Sequence, residues 1–333
     1  MGMFYLKKLG HQELGSVENG KPKRGRYFLI SKKAIEKKIF PVLSDIQVND
    51  NALLPVYSMD LERKVYCNFV YHNDKFSRKL SNGRDEYRFY LNNDIENNSL
   101  FFSEDDIVIF AKKINNNEVD YDFTYFIKKI SKTDVNYEYV NKILSEYNVG
   151  GGHAICDKDI LNLEEQIVLI DPEESQVSIS SDVVNQIINQ TSNNEKSIED
   201  LFSPTVFRDF VMTGYKRKCA VTGISISYND LINLEAAHIK PRAHGENNLP
   251  SNGIALSRDL HWAFDKGFFT ITDDYLIIVH SEVQSDYLKQ FDGKRIYVPE
   301  NEFFRPNKVF LQHHRTHIFG MFKNTGSIRK LNI

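Results

Sequence analysis

Six short runs rich in aromatic and β-branched residues fall between residues 26 and 130: RYFLI, LLPVYSM, VYCNFVY, EYRFYL, IVIFA and FTYFIKKI. Polar turn stretches such as HNDK and SNGRD separate them, so each reads as a strand. Strands this closely spaced commit the region to a small barrel or sandwich. One helical insert, SKKAIEKKIFPVL, sets Ala34, Ile35 and Ile39 against a lysine-rich face. VNKILSEY reads as a second helix. NVGGGHA reads as a glycine-rich turn, because it lacks the Lys-Ser/Thr ending of a phosphate-binding loop.

From Asp171 to about Asp200 the chain becomes rich in serine, asparagine and acids and contains no aromatic residue. Such composition reads as an interdomain linker holding at most one short helix. After it, SPTVFRDFVMTGYKRK predicts a helix with Val206, Phe207, Phe210 and Val211 on its apolar side. A chain of 333 residues has room for two domains of ~100–200 residues each. The expected division is a β-rich domain over 1–170, a linker over 171–198 and a second domain over 199–333. With 41% apolar and 26% charged residues, wholesale disorder is excluded. No stretch approaches the ~20 apolar residues of a membrane helix. The N-terminal MGMFYLKKLG lacks a signal peptide's apolar core, and Leu6 stands where a myristoylation signal needs Ser or Thr. The three cysteines, Cys67, Cys156 and Cys219, imply neither a disulfide framework nor a paired-cysteine zinc site, and a reducing cytoplasm is expected. The net charge of −3 is uneven: basic residues exceed acids by three in 1–130 and again in 196–333, and acids exceed bases by nine in between. Local basic patches, rather than the total, govern phosphate binding.

In the second domain, residues 234–267 read LEAAHIKPRAHGENNLPSNGIALSRDLHWAFDKG. NLEAAHI and GIAL read as strands. SRDLHWAFDK reads as a helix, with Ser257 as N-cap and Gly267 as its stop. The order is strand, loop, strand, helix, with His238, Asn252 and His261 at separations of 14 and 9. These residue types suit phosphodiester hydrolysis. A strand presents His238 as general base toward a water, a role suited to a histidine pKa near ~6.5. A helix presents His261 to a divalent cation that neutralises charge on the phosphate. Asn252 is placed to hold the loop through side-chain-to-backbone bonds. Asp265, one helical turn after His261, is a partner for the second imidazole nitrogen. Glu235 lies two residues before Ala237 on the same strand face and is either a metal ligand or an ion-pair partner. Lys240 and Arg242 add positive charge for DNA. His244 is a DNA contact or merely exposed, His313, His314 and His317 are expected to pack or face solvent, and Trp262 is expected in the core.

The stretch is similar to the HNH endonucleases, which share a ββα-metal fold. It carries the His…Asn…His order, the Ile-x-Pro after the first histidine (Ile239, Pro241), the Asn-Gly-x-x-Leu turn from Asn252 to Leu256, and a His-x-x-Phe-Asp-x-Gly ending from His261 to Gly267. The resemblance covers Cys219 to Ile271 and implies His238 as general base, Asn252 as loop organiser and His261 as metal ligand. It implies a divalent metal, Mg²⁺ or Mn²⁺. Two features depart from the family pattern. Ala237 stands where many members carry a further metal-ligating Asp or His, and Cys219 lacks the partners of a structural zinc site, so no zinc is expected.

The first domain carries basic clusters in KPKRGR and KFSRKLSNGRDEYR. They read either as solvated loops or as two arms straddling a DNA groove, where Arg and Asn contact base edges. The succession NGRDEYRFYL, LFFSEDDIVIFAKK and FTYFIKK resembles the DNA-recognition pseudobarrel of plant transcription factors and some type II restriction enzymes. That resemblance implies Arg24, Arg26, Lys75, Arg78, Lys79, Asn82 and Arg84 as DNA contacts. The whole chain is thus expected to be α+β: a β-rich pseudobarrel followed by a ββα-metal nuclease domain with flanking helices. The expected function is a restriction-type, site-specific endonuclease on double-stranded DNA, acting as a homodimer beside a methyltransferase that protects the same site. A modification-dependent nuclease and an inactive DNA-binding regulator are the alternatives.

Overall fold

The computed structural model describes residues 3–15, 17–18, 21–22, 26–79, 81–92, 94–96, 101–114, 122–157, 163–169, 177–193, 202–228, 231–244 and 248–324. The chain divides into two compact units, Met1–Gln186 and Ile187–Ile333. In the first, the elements run β1 (Phe4–Lys8), β2 (Val17–Glu18), β3 (Lys21–Pro22), β4 (Tyr27–Ile30), α1 (Lys32–Glu36), β5 (Asn51–Ser58), β6 (Arg63–His72), α2 (Asp74–Ser77), β7 (Glu86–Tyr90), β8 (Ile107–Ile114) and β9 (Phe123–Ile130). They continue with α3 (Tyr137–Glu146), β10 (Asn148–Gly150), β11 (His153–Cys156), α4 (Leu163–Leu169), β12 (Val177–Ser178) and α5 (Ser181–Asn193).

Ten of these strands form one sheet in the order β10-β11-β1-β8-β9-β5-β6-β7-β4, with β12 joined to β6. Pairing is antiparallel except for β5–β9 and β12–β6. All six runs read as strands from the sequence are strands. The sheet is curled. Strands β8 and β7 lie four positions apart in its order, ~19 Å in a flat sheet. Yet the rings of Phe110 on β8 and Phe89 on β7 are 5.4 Å apart, and Phe110 also meets Phe28 on β4 at 6.2 Å. The concave face encloses an aromatic core of Tyr5, Phe28, Phe40, Phe69, Phe89, Phe110 and Tyr125. The other face is covered by α3, whose Tyr137, Val140, Ile143 and Leu144 pack on Phe4, Leu6, Ile107 and Ile109.

Strand β1 and the β10–β11 hairpin escape the sequence pattern. In β1, Phe4, Tyr5 and Leu6 are all buried, because the strand is covered on both faces and no polar alternation survives. The glycine-rich turn expected at NVGGGHA is the tip of the β10–β11 hairpin, and Gly150, Gly151 and Gly152 all have positive φ there. Its His153 is buried, and its Nδ1 accepts the Tyr5 hydroxyl proton at 2.6 Å. Within the stretch read as a linker, β12 pairs with β6, and α5 buries Val183, Val184 and Ile187.

The boundary between the units falls within α5, and the next helix of the second unit is α6 (Pro204–Gly214), where Ser203 caps the Val206 amide and Pro204 occupies the first turn. Then follow β13 (Ser227–Tyr228), β14 (Leu231–Ile232), β15 (Leu234–His238), β16 (Gly253–Ser257), α7 (Arg258–Asp265), β17 (Phe269–Ile271), β18 (Ile277–Val279), α8 (Asp286–Lys289) and α9 (Lys308–His317). Strands β15 and β16 pair antiparallel, with Leu234 opposite Ser257 and His238 opposite Gly253. Helices α6 and α7 both pack on this hairpin, burying Phe207, Val211, Leu260 and Phe264 against Leu234, Ala237, Ile254 and Leu256. Close approach requires Gly253: a Cβ there would lie 2.1 Å from a Val211 methyl and 2.9 Å from the Phe207 ring.

Candidate active site

The loop from Ile239 to Asn252 leaves β15 directly after His238 and returns to β16. Asn252 closes it. This side chain is fully buried; its Oδ1 accepts the Lys240 amide at 2.8 Å and its Nδ2 donates to the Lys240 carbonyl at 3.2 Å. The Ile239 amide donates to the Asn252 carbonyl at 2.8 Å. One asparagine thereby ties both ends of the loop together at the strand that carries His238.

His238 is held in two ways. Its ring stacks on Phe207 of α6, with centroids 4.0 Å apart and planes 14° from parallel. Its Nε2 lies 3.1 Å from Oδ1 of Asn248. The amide orientation of Asn248 is fixed in turn, because its Nδ2 donates to the Phe202 carbonyl at 3.0 Å. An amide oxygen only accepts, so Nε2 carries the proton and the neutral ring keeps its lone pair on Nδ1. Burial pushes the His238 imidazole below its ordinary value; the Asn248 bond opposes this and the Arg242 and His261 charges add to it. The neutral ring therefore has Nδ1 as its accepting nitrogen.

His261 is in the opposite electrostatic state. Its Nδ1 donates to Oε2 of Glu235 at 2.7 Å, and its Nε2 lies 3.3 Å from Oδ2 of Asp265 on the next turn of α7. Oε1 of Glu235 faces Arg258 at 3.3 Å. Burial disfavours the charged ring, but the bonds to Asp265 and Glu235 outweigh it and hold the His261 pKa above its ordinary value. Ala237 is fully buried among Leu234, Ile254 and Leu256 and offers no donor.

The donor set of Glu235, His261 and Asp265 combines an imidazole with hard carboxylate oxygens, which suits a divalent cation of the Mg²⁺ or Mn²⁺ kind. Among the described residues no three His, Cys, Asp or Glu side chains converge tightly enough to enclose a metal by themselves. A cation at His261 would therefore complete its shell with water and phosphate oxygens.

The remaining histidines are placed otherwise. His314 is fully buried on α9; its ring stacks on Phe264 at 3.7 Å, Nε2 donates to the Phe264 carbonyl and Nδ1 accepts the Thr270 hydroxyl proton. His244 and His313 share a 3.0 Å bond at the surface, with the His317 ring 4.2 Å from that of His313. Trp262, expected in the core, is 56% exposed and packs edge-on against Phe268. It sits on the side of α7 that faces away from the hairpin.

The DNA-contact expectations meet mixed geometry. Arg24 lies outside the described residues. Arg26 is corrected: its guanidinium is buried, bonding both oxygens of Glu96 and the carbonyls of Leu14 and Phe102. It staples the sheet rather than reaching solvent. Lys75, Arg78, Lys79, Asn82 and Arg84 do lie together on an exposed arm around α2. There Arg84 pairs with Asp74 at 2.6 Å and Arg78 with the same carboxylate at 3.6 Å. Arg242 is exposed and Lys240 half-buried beside His238.

Asn248 and Phe207 were not singled out in the sequence. Asn248 is one of several asparagines in a loop without periodicity, and Phe207 reads as ordinary helix core. Only the fold brings both onto the histidine ring.

Residues 219–272 match the model of the HNH endonuclease family. The C-terminal unit therefore carries an HNH endonuclease domain, and the protein is α+β, with a curled N-terminal sheet and this nuclease domain after it. No curated protein matches the chain. Among solved structures, the modification-dependent TagI restriction endonuclease is 16% identical, with 71% of this chain covering 57% of that one and a TM-score of 0.29. The B3 domain of the UbaLAI restriction endonuclease with cognate DNA is 12% identical over 47% of this chain and 88% of its own, at a TM-score of 0.31. The N-terminal domain of Helicobacter pylori LlaJI.R1 is 15% identical over 47% and 99%, at 0.28. With TM-scores this low, the assignment rests on the family match and the site geometry. Among the described residues no helix is long and apolar enough to cross a membrane.

Proposed function

We propose that the protein is a restriction-type endonuclease that hydrolyses double-stranded DNA at defined sites, using His238 as general base. The observation that carries this reading is the fixed proton of His238: Asn248 holds it on Nε2 and leaves Nδ1 to accept one from water. In this mechanism Nδ1 takes a proton from a water molecule as its oxygen bonds to phosphorus. The bond from phosphorus to the leaving deoxyribose oxygen breaks on the opposite side, and that oxygen is then protonated from solvent. A divalent cation, Mg²⁺ or Mn²⁺, when bound at His261, neutralises charge on the phosphate and the departing oxygen. His261 and its two carboxylates orient it, Asn252 keeps the loop closed, and Lys240 and Arg242 lie beside the base for the flanking phosphates.

The curled sheet supplies sequence recognition, with the arm around Lys75, Lys79 and Asn82 as its DNA-facing element. One active site cuts one strand, so a twofold homodimer on a palindromic site is the arrangement that yields a double-strand break. A methyltransferase acting on the same site would then protect the host's own DNA.

Incubation of unmodified and methylated duplex DNA with Mg²⁺, followed by sequencing of the new ends, tests this. A single recurrent sequence at ends from unmodified DNA is the expected result. Cutting of methylated DNA alone would replace it with the modification-dependent reading. Random ends would remove the recognition role from the first unit, and DNA binding without cleavage under any metal would leave an inactive regulator.

A further inference from the structure

We infer that Asp265, rather than Glu235, is the carboxylate that shares the divalent cation with His261, and that Glu235 is a positioning residue acting through the His261 ring. The inference rests on reading this unit as a metal-dependent nuclease, and it concerns how the metal is held. A metal-binding imidazole gives one nitrogen to the cation and donates its other N–H to a fixed acceptor, which sets ring orientation and tautomer. His261 has a carboxylate at each nitrogen, so the question is which acid plays which part.

The distances separate them. Glu235 Oε2 accepts from Nδ1 at 2.7 Å, a short, direct charge-assisted bond. Its second oxygen faces the Arg258 guanidinium at 3.3 Å. A cation at Glu235 would have to break one of these interactions and would meet the positive charge of Arg258. Asp265 Oδ2 stands 3.3 Å from Nε2, long for a hydrogen bond in this class. The spacing is instead close to the ~3 Å between adjacent ligands of a small cation that binds each at about 2.1 Å. His261 and Asp265 project from one face of α7, one turn apart, so a single helix sets their separation. With Ala237 buried and donating nothing, the carboxylate for the cation comes from one turn after the histidine instead of from the strand before the base.

Asp265 and Glu235 are 51% and 42% exposed in their side chains, so substitution at either leaves the core intact. The full-length chain is converted to Asp265→Cys or Glu235→Cys and titrated with Cd²⁺. The native thiols Cys67, Cys156 and Cys219 are all buried, giving a low background. Asp265→Cys is expected to develop the ultraviolet charge-transfer band of a cadmium thiolate, saturating at one Cd²⁺ per chain and vanishing on adding His261→Ala; Glu235→Cys develops none. In parallel, Mn²⁺ uptake followed by electron paramagnetic resonance is expected to weaken at least about tenfold in Asp265→Asn, and less in Glu235→Gln. Histidine ¹⁵N spectra without metal read the positioning role: Glu235→Gln moves the His261 proton population away from Nδ1, and Asp265→Asn leaves it there. A thiolate band from Glu235→Cys, or undiminished Mn²⁺ uptake by Asp265→Asn, would overturn the ligand assignment. An unchanged His261 spectrum in Glu235→Gln would overturn the positioning role. If the wild-type chain takes up no Mn²⁺ and cuts no DNA, it is the nuclease reading that falls.

Discussion

At His238, two neighbours that touch no substrate decide the chemistry. Phe207 limits how the ring can turn, and Asn248 decides which nitrogen is left to accept a proton. Replacing Asn248 with Leu removes the acceptor of the Nε2 proton, so the tautomer is no longer fixed. Single-turnover cleavage is expected to slow by about 10²-fold, with DNA binding little changed. The lowered His238 pKa also fixes a sign. The proposed base would work in its neutral form, and burial disfavours the imidazolium. Activity at saturating metal should therefore persist as pH falls through the ordinary histidine range, and the acidic limb of kcat/KM should have its midpoint below about 6.5. An acidic limb centred above that value would mean that His238 is not the titrating base.

The elements around the site explain how the hairpin is kept in register. Gly253 pairs with His238 across the sheet and lets α6 approach to a distance no side chain would permit. Gly253→Ala should cost about 1–3 kcal/mol by overpacking and reduce activity by displacing the strand beneath the base, both readable by thermal melting alongside a cleavage assay. On the other side, α9 is joined to α7 by His314. Burial lowers that imidazole to about 4, whereas the unfolded chain protonates near the ordinary value of 6.5. Between those pH values the unfolded state binds a proton that the folded state does not, so stability falls as pH drops from about 6.5 toward 4 and is constant above. His314→Gln should flatten this pH dependence in urea melts of the second unit while destabilising it at neutral pH by about 1–3 kcal/mol through loss of the Phe264 and Thr270 bonds.

How much of this was legible follows from the same elements. The ββα segment could be read because its strands and helix are short and bounded by turn residues, and because its histidines have a fixed order. The six sheet strands could be read from their aromatic and β-branched runs and the turns between them. Strand β1 could not, since FYLKK holds only three apolar residues before its two lysines. Nor could the contacts of Asn248 and Phe207 with His238 or the bond of Glu235 to His261, because those depend on tertiary approach across 10 to 46 residues of sequence.

Across the whole molecule, charge that looks alike in sequence divides into structural and available groups. Arg26 belongs to the first kind. Arg26→Ala should leave Glu96 buried without its partner and destabilise the first unit by about 3–5 kcal/mol, seen as an early melting transition. Lys79 and Asn82 belong to the second, with Lys75 loosely paired to Asp85 at 4.0 Å. Lys75→Ala with Lys79→Ala should leave stability unchanged, weaken DNA binding and reduce its salt dependence by about one unit of slope per lost phosphate. Arg84, already paired with Asp74, should contribute less. On the proposed reading a recognition unit and a hydrolytic unit share one chain, which is what site-specific cutting demands.

The central claim is most directly tested by digesting unmodified phage DNA with Mg²⁺, with the wild-type protein and His238→Ala side by side, while DNA binding by both is checked by mobility shift. Discrete fragments from the wild type, equal binding by both, and a rate about 10²–10⁴-fold lower for the variant are the predicted result. Equal cleavage by the two proteins would contradict it, because the proton would then leave water by a route that does not involve His238.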